Sequence, residues 1–143
     1  MHVSEIMQTA LVTSSPEASV LEVARLLTRR RVGACLILEG GELAGIFTER
    51  DLLHVVAAGE DVRDRRVADV MTRDVTMAPP DAEVLWAAET MRSLGVRHLP
   101  VGEGGHVVGI VSIRDLYAAA EAVLRLDPRG AGAAGDMLAA ASG

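Results

Sequence analysis

Apolar residues along this chain fall into short runs and helical stripes, and the same order of them occurs twice. In the first half, Leu11-Val12-Thr13 is a short β-prone stretch closed by Pro16. Ser19 stands three residues before Glu22, a capping-box pair, and Val20, Val23, Ala24 and Leu27 follow at helical spacing. That pattern predicts a helix reaching about Arg31. Two apolar runs come next, 32–38 and 43–47, and the Gly40-Gly41 pair between them is a hairpin signal. A second helix opens at Thr48 and carries Leu52, Leu53, Val55 and Val56.

The second half repeats the order. Val75-Thr76-Met77 precedes Pro79-Pro80, and Val84, Ala87, Ala88, Met91 and Leu94 form one helical stripe that stops at Gly95. Apolar runs at 96–101 and 107–111 flank Gly104-Gly105, and a helix opening at Ser112 carries Leu116, Tyr117 and Val123. Slid against itself by 64 positions, the chain matches without gaps from Met7–Leu53 to Met71–Tyr117; the identities include Met7/Met71, Pro16/Pro80, Gly45/Gly109, Arg50/Arg114 and Asp51/Asp115. Two copies at this period make a pseudo-symmetric pair and not a stacked array. Each unit reads β-α-β-β-α, with one helical turn leading into each copy at 4–7 and 68–71 and a polar linker at 59–66. The expected division is repeat 1 at 1–60, repeat 2 at 61–126 and an Ala/Gly-rich tail at 127–143. Asp127, Pro128 and Gly130 end the last helix, and the tail is expected to be mobile or to dock weakly as a short helix.

Composition narrows the chemistry. Half of the 143 residues are apolar, with mean hydropathy +0.28, which argues for a packed core and against disorder. With no run of 18 apolar residues and no basic, apolar leader, neither a membrane span nor a signal peptide is expected, and the location is read as cytoplasmic. Cys35 is the single cysteine, so an internal disulfide and a Cys-based zinc cluster are excluded; it is expected to be a buried strand residue. His2, His54, His98 and His106 are scattered, and no metal site is expected. The chain has no lysine, which removes P-loop and Schiff-base chemistry. A net charge of −6 and only three aromatics, Phe47, Trp86 and Tyr117, argue against duplex or single-stranded nucleic acid. Trp86 is expected to pack a core or an interface.

One polar motif recurs at the end of each hairpin, G-x-x-[ST]-x-R-D, as Gly45…Thr48-Glu49-Arg50-Asp51 and Gly109…Ser112-Ile113-Arg114-Asp115. A Ser or Thr three residues before an acid at a helix start is also a capping box. Asp, one methylene shorter than the Glu or Gln that the box prefers, is expected to reach the N-cap amide less well, so its double occurrence asks for a further role. Free amides at a helix N-terminus suit an anion, and a carboxylate accepts bonds from two vicinal hydroxyls; a ribose phosphate offers both.

With this motif, repeat length and element order, residues 3–126 resemble the tandem CBS-domain (Bateman) module. The resemblance implies an α/β (α+β) fold of two β-α-β-β-α repeats packed through their sheets about a pseudo-two-fold axis. It implies two clefts for adenine nucleosides or nucleotides (AMP, ADP, ATP or S-adenosylmethionine), bound without catalysis and with no cofactor required. It gives Asp51 and Asp115 the ribose, and Thr48, Ser112, Arg50 and Arg114 the phosphate side. An adenine wall is expected near 9–11 and 73–75, and a homodimer with an unidentified regulated partner follows by the same likeness. Copy two adds Arg97-His98 where copy one has Gly33-Ala34, so the second cleft is expected to favour phosphorylated ligands. The plain alternative for Arg97 is a solvated residue at a turn, and for His98 a structural histidine. Arg29, Arg30, Arg31, Arg63, Arg65 and Arg66 read as solvated surface. The competing function is a ligand-independent dimerisation or interaction module whose motifs are only helix caps; no acid-base pair or activated nucleophile supports an enzyme.

Overall fold

The computed structural model describes residues 1–126, 129 and 131–142. In chain order they form β1 (Thr13–Ser14), α1 (Val20–Arg30), β2 (Ala34–Glu39), β3 (Glu42–Thr48), α2 (Glu49–Ala57), α3 (Val84–Leu94), β4 (His98–Glu103), β5 (His106–Ser112), α4 (Ile113–Leu126) and α5 (Ala131–Ser142). Short 3-10 turns at Val3–Glu5 and Val67–Asp69 stand where a leading turn is expected for each repeat.

Two compact units result: Ala10–Val75 with Gly104–His106, and Met1–Thr9 with Thr76–Glu103 and Val107–Gly143. They cut across the sequence repeats because each leader satisfies backbone groups at the far repeat's first helix. Val67 donates its N–H to Ala18 O at 2.8 Å, and Val20 donates to Arg65 O at 2.9 Å, which ties the 61–75 segment to α1. The matching bonds, Val3 to Ala82 O at 2.8 Å and Val84 to Met1 O at 3.0 Å, tie the N-terminus to α3. The helix N-terminus has amides without intrahelical partners, and the leader carbonyls take them.

In the unit that carries Asp51, β1 pairs parallel with β2, Thr13 opposite Leu36, and β2 pairs antiparallel with β3. Gly40 and Gly41 turn the hairpin with φ of +60° and +83°, a conformation that needs glycine or a short polar residue. The Ser19–Glu22 capping box closes with both bonds at 3.1 Å. Arg31 ends α1 in the left-handed region, φ 55°, where the other repeat has Gly95. The core gathers Val20, Val23, Leu27, Cys35, Ile37, Phe47, Val55, Val67 and Met71.

In the unit that carries Asp115, β4 and β5 form a two-stranded sheet. The strand expected at 75–77 is reduced to a single parallel bridge between Ala78 and Val101. Pro79 and Pro80 follow at once, and neither has an N–H to extend a ladder. The tail forms a helix, α5, and packs: Ala134, Met137 and Ala141 share one buried cluster with Val84, Ala87, Ala88, Met91, Leu116 and Ala120. Alanine favours the helix and lets it approach closely. Of the expected stop before it, Asp127, Pro128 and Gly130 lie outside the described residues. Trp86, expected in a core or an interface, lies on α3 outside the core and is 39% exposed. Cys35 is fully buried, and that burial pushes its thiol up to about 11.

Candidate functional site

Each hairpin delivers its last strand into a helix, and the recurring motif occupies that corner. Thr48 is the N-cap of α2, extended at φ −116° and ψ 170°. Its backbone N–H donates to Asp51 Oδ2 at 2.8 Å, its hydroxyl donates to the same oxygen at 3.1 Å, and the Asp51 N–H donates to Thr48 Oγ1 at 3.3 Å. At the other corner Ser112 N–H reaches Asp115 Oδ2 at 2.7 Å, its hydroxyl the same oxygen at 3.0 Å, and Asp115 N–H donates to Ser112 Oγ at 3.3 Å. The expectation that Asp reaches the N-cap amide less well than Glu is therefore corrected: its carboxylate lies 2.7–2.8 Å from the amide nitrogen at both corners, nearer than Glu22 comes to Ser19 N at 3.1 Å. Capping alone accounts for one oxygen of each carboxylate.

The other oxygen is engaged by residues that the sequence reading passed over. Thr72 Oγ1 donates to Asp51 Oδ1 at 3.2 Å, and Gln8 Nε2 donates to Asp115 Oδ1 at 3.0 Å. Gln8 and Thr72 are equivalent at the 64-residue offset, yet they differ in type, so a comparison keyed to identities misses them. Both are seated by reciprocal backbone bonds, Ile46 with Thr72 and Ile110 with Gln8, at 2.8–2.9 Å. The neighbouring identities now have a cause as well. A β-carbon at Gly45 would stand 2.7 Å from Met71 Sδ and 2.8 Å from Thr72 O, and one at Gly109 would overlap Met7 Sδ. The motif glycines thus seat the leader methionines.

Glu49 N–H donates to Gly33 O and Ile113 N–H to Arg97 O, both at 3.0 Å. Gly33 and Arg97 therefore hold the same place at the first turn of α2 and α4, and only the second carries a guanidinium there. Arg97, Arg50 and Arg114 are exposed, while His98 is half-buried at the start of β4. Asp51, Asp115, Thr48 and Ser112 are half-buried too. Residues 73–75 follow Thr72 in the unit of Asp51. Arg29, Arg30, Arg31, Arg63 and Arg66 are exposed as expected, but Arg65 is half-buried with Nε 3.3 Å from Glu60 Oε2. Among the described residues no group of three or more His, Cys, Asp or Glu side chains is placed to hold a metal, and no helix is long and apolar enough to cross a membrane.

The CBS domain family matches the chain twice, at residues 3–58 and 67–122, each match holding one copy of the motif. The chain belongs to the CBS-domain family. This CBS pair is 33% identical over 115 residues to the CBS domain-containing protein YhcV of Bacillus subtilis, covering 80% of this chain and 81% of that one. It is also 33% identical over 122 residues to the arabinose 5-phosphate isomerase KdsD of Yersinia pestis; the match takes in 83% of this chain but spans only 37% of that enzyme. A solved CBS domain protein from Pyrobaculum aerophilum, complexed with AMP, superposes with TM-score 0.75 at 29% identity, covering 81% of this chain and 90% of the other. The CBS domain pair of protein MJ0100, in complex with 5′-methylthioadenosine and S-adenosyl-L-methionine, gives TM-score 0.79 at 26% identity, covering 85% and 97%.

Proposed function

We propose that this CBS pair is a non-catalytic sensor that binds an adenine nucleoside or nucleotide at the Asp51 and Asp115 corners and regulates a partner protein. The observation that carries the reading is the repetition of one corner, a half-buried carboxylate locked onto the first turn of a helix, in a family whose solved members include complexes with AMP and with S-adenosyl-L-methionine. Asp51 and Asp115 take ribose hydroxyls. Thr48, Ser112 and the amides of the first helical turn take the phosphate side, since a helix N-terminus favours an anion. Arg50 and Arg114 add charge, and Arg97 and His98 add more at the Asp115 corner only, which then prefers AMP over adenosine. A homodimer and a cytoplasmic location belong to the same reading.

Melting curves with AMP, ADP, ATP, adenosine and S-adenosylmethionine test it. At about 100 times the dissociation constant a ligand adds roughly 2.7 kcal/mol per site, or about 5 to 10 °C for a domain of this size. No shift with any of them at millimolar concentration overturns the sensor. It would leave a ligand-independent interaction module, a reading favoured by the carboxylate oxygens being engaged within the chain and by the open apolar positions Leu53 and Val56 on α2.

A further inference from the structure

Resting on that reading of the two carboxylates, we propose that Gln8 is a positioning residue, a latch that must open before Asp115 accepts a vicinal diol, whereas Thr72 at Asp51 is a donor that can turn and needs no such opening. A carboxylate offers about four acceptor positions. Asp115 Oδ2 receives the Ser112 N–H and hydroxyl, and Oδ1 receives the Gln8 amide, so one position is left where a diol needs two. Asp51 is filled in the same way by Thr48 and Thr72. The two donors differ in chemistry. A Thr hydroxyl both donates and accepts, so Thr72 can rotate and receive one ligand hydroxyl while Asp51 receives the other. The Gln8 Nε2 group only donates, so a diol that takes both positions of Asp115 Oδ1 has to displace it.

Calorimetry on the full chain in the Asp51→Ala background isolates the Asp115 corner, with adenosine and 2′-deoxyadenosine as probes. Gln8→Ala is expected to tighten adenosine by about three- to tenfold, the worth of one internal hydrogen bond, and to leave 2′-deoxyadenosine unchanged, because a single hydroxyl fits the position already open. Gln8→Met, which keeps the length without the donor, repeats the result if the effect is the lost bond. A Gln8 variant that changes both probes alike acts only through the leader's seat and overturns the latch while the sensor stands. Adenosine binding unchanged in both Gln8 variants overturns it too. No binding of either probe to wild type or any variant overturns the sensor and the latch together.

Discussion

The two corners share one box and one backbone seat and differ in the side chains set around them. At Asp51 the second carboxylate oxygen meets a hydroxyl, and at Asp115 it meets an amide. The helix faces behind them differ as well. Ala88, Leu116 and Ala120 of α3 and α4 are buried in the cluster that includes α5. Their equivalents at the 64-residue offset, Ala24, Leu52 and Val56, are open to different degrees, Val56 being 58% exposed. A duplicated unit keeps identities where backbone and box geometry demand them, and it diverges where a neighbour has been added. Of the three pairs only the last differs in type, with Ala120 in the cluster that holds α5 and Val56 at an open position.

The largest effect that bears on this comparison belongs to the shared part. Gly45→Ala is expected to cost about 3 kcal/mol and Gly109→Ala somewhat less, both within the usual range for overpacking. At Gly45 the obstruction under 3.0 Å includes a backbone oxygen, whereas at Gly109 it is the side chain of Met7, which can move. Urea unfolding checks both, and equal costs would show that the leaders are seated alike.

Ala120→Val places on α4 the residue that α2 carries at the equivalent position. It is expected to cost about 1–2 kcal/mol by crowding α5, while Val56→Ala, at an open position, stays within about 0.5 kcal/mol. A neutral Ala120→Val in the same denaturation series would mean that α5 yields at little cost.

Asp51→Ala and Asp115→Ala each remove a charged partner of an N-cap amide and should lower stability by about 1 kcal/mol. Each should also abolish ligand binding at its own corner and leave the other intact, as read by calorimetry. Full affinity at both corners in both variants would reduce the aspartates to caps.

An effect seen only at high pH distinguishes the cores. Burial raises the Cys35 thiol to about 11 from its ordinary 9.0, so the folded chain holds a proton that the unfolded chain releases. The associated stability is complete below pH 9.0 and is lost as pH rises toward 11. With no lysine in the chain, few other groups titrate in that window. Urea midpoints at pH 7, 9 and 10.5 should fall more steeply for wild type than for Cys35→Ala, and parallel declines would contradict the assignment to Cys35.

Much of this molecule was legible in its sequence because it rests on local chemistry. The Ser19–Glu22 box, the Gly-Gly hairpins and the stripes of α1 and α3 are set by residues within a few positions of each other, and the family resemblance followed from the repeated motif. What failed was also local in origin. A strand at 75–77 leaves out the cost of two following prolines, and a weak Asp box leaves out the extended Thr48 N-cap that shortens the reach. What only the tertiary structure decided is long-range. That Gln8 meets Asp115 across 107 positions, and Thr72 meets Asp51, depends on which unit each leader docks against, and backbone amides and carbonyls are the same in every residue. That the alanine-rich tail lies on α3 and α4 likewise depends on a surface made of two separate helices, which no single stretch of chain displays before it folds.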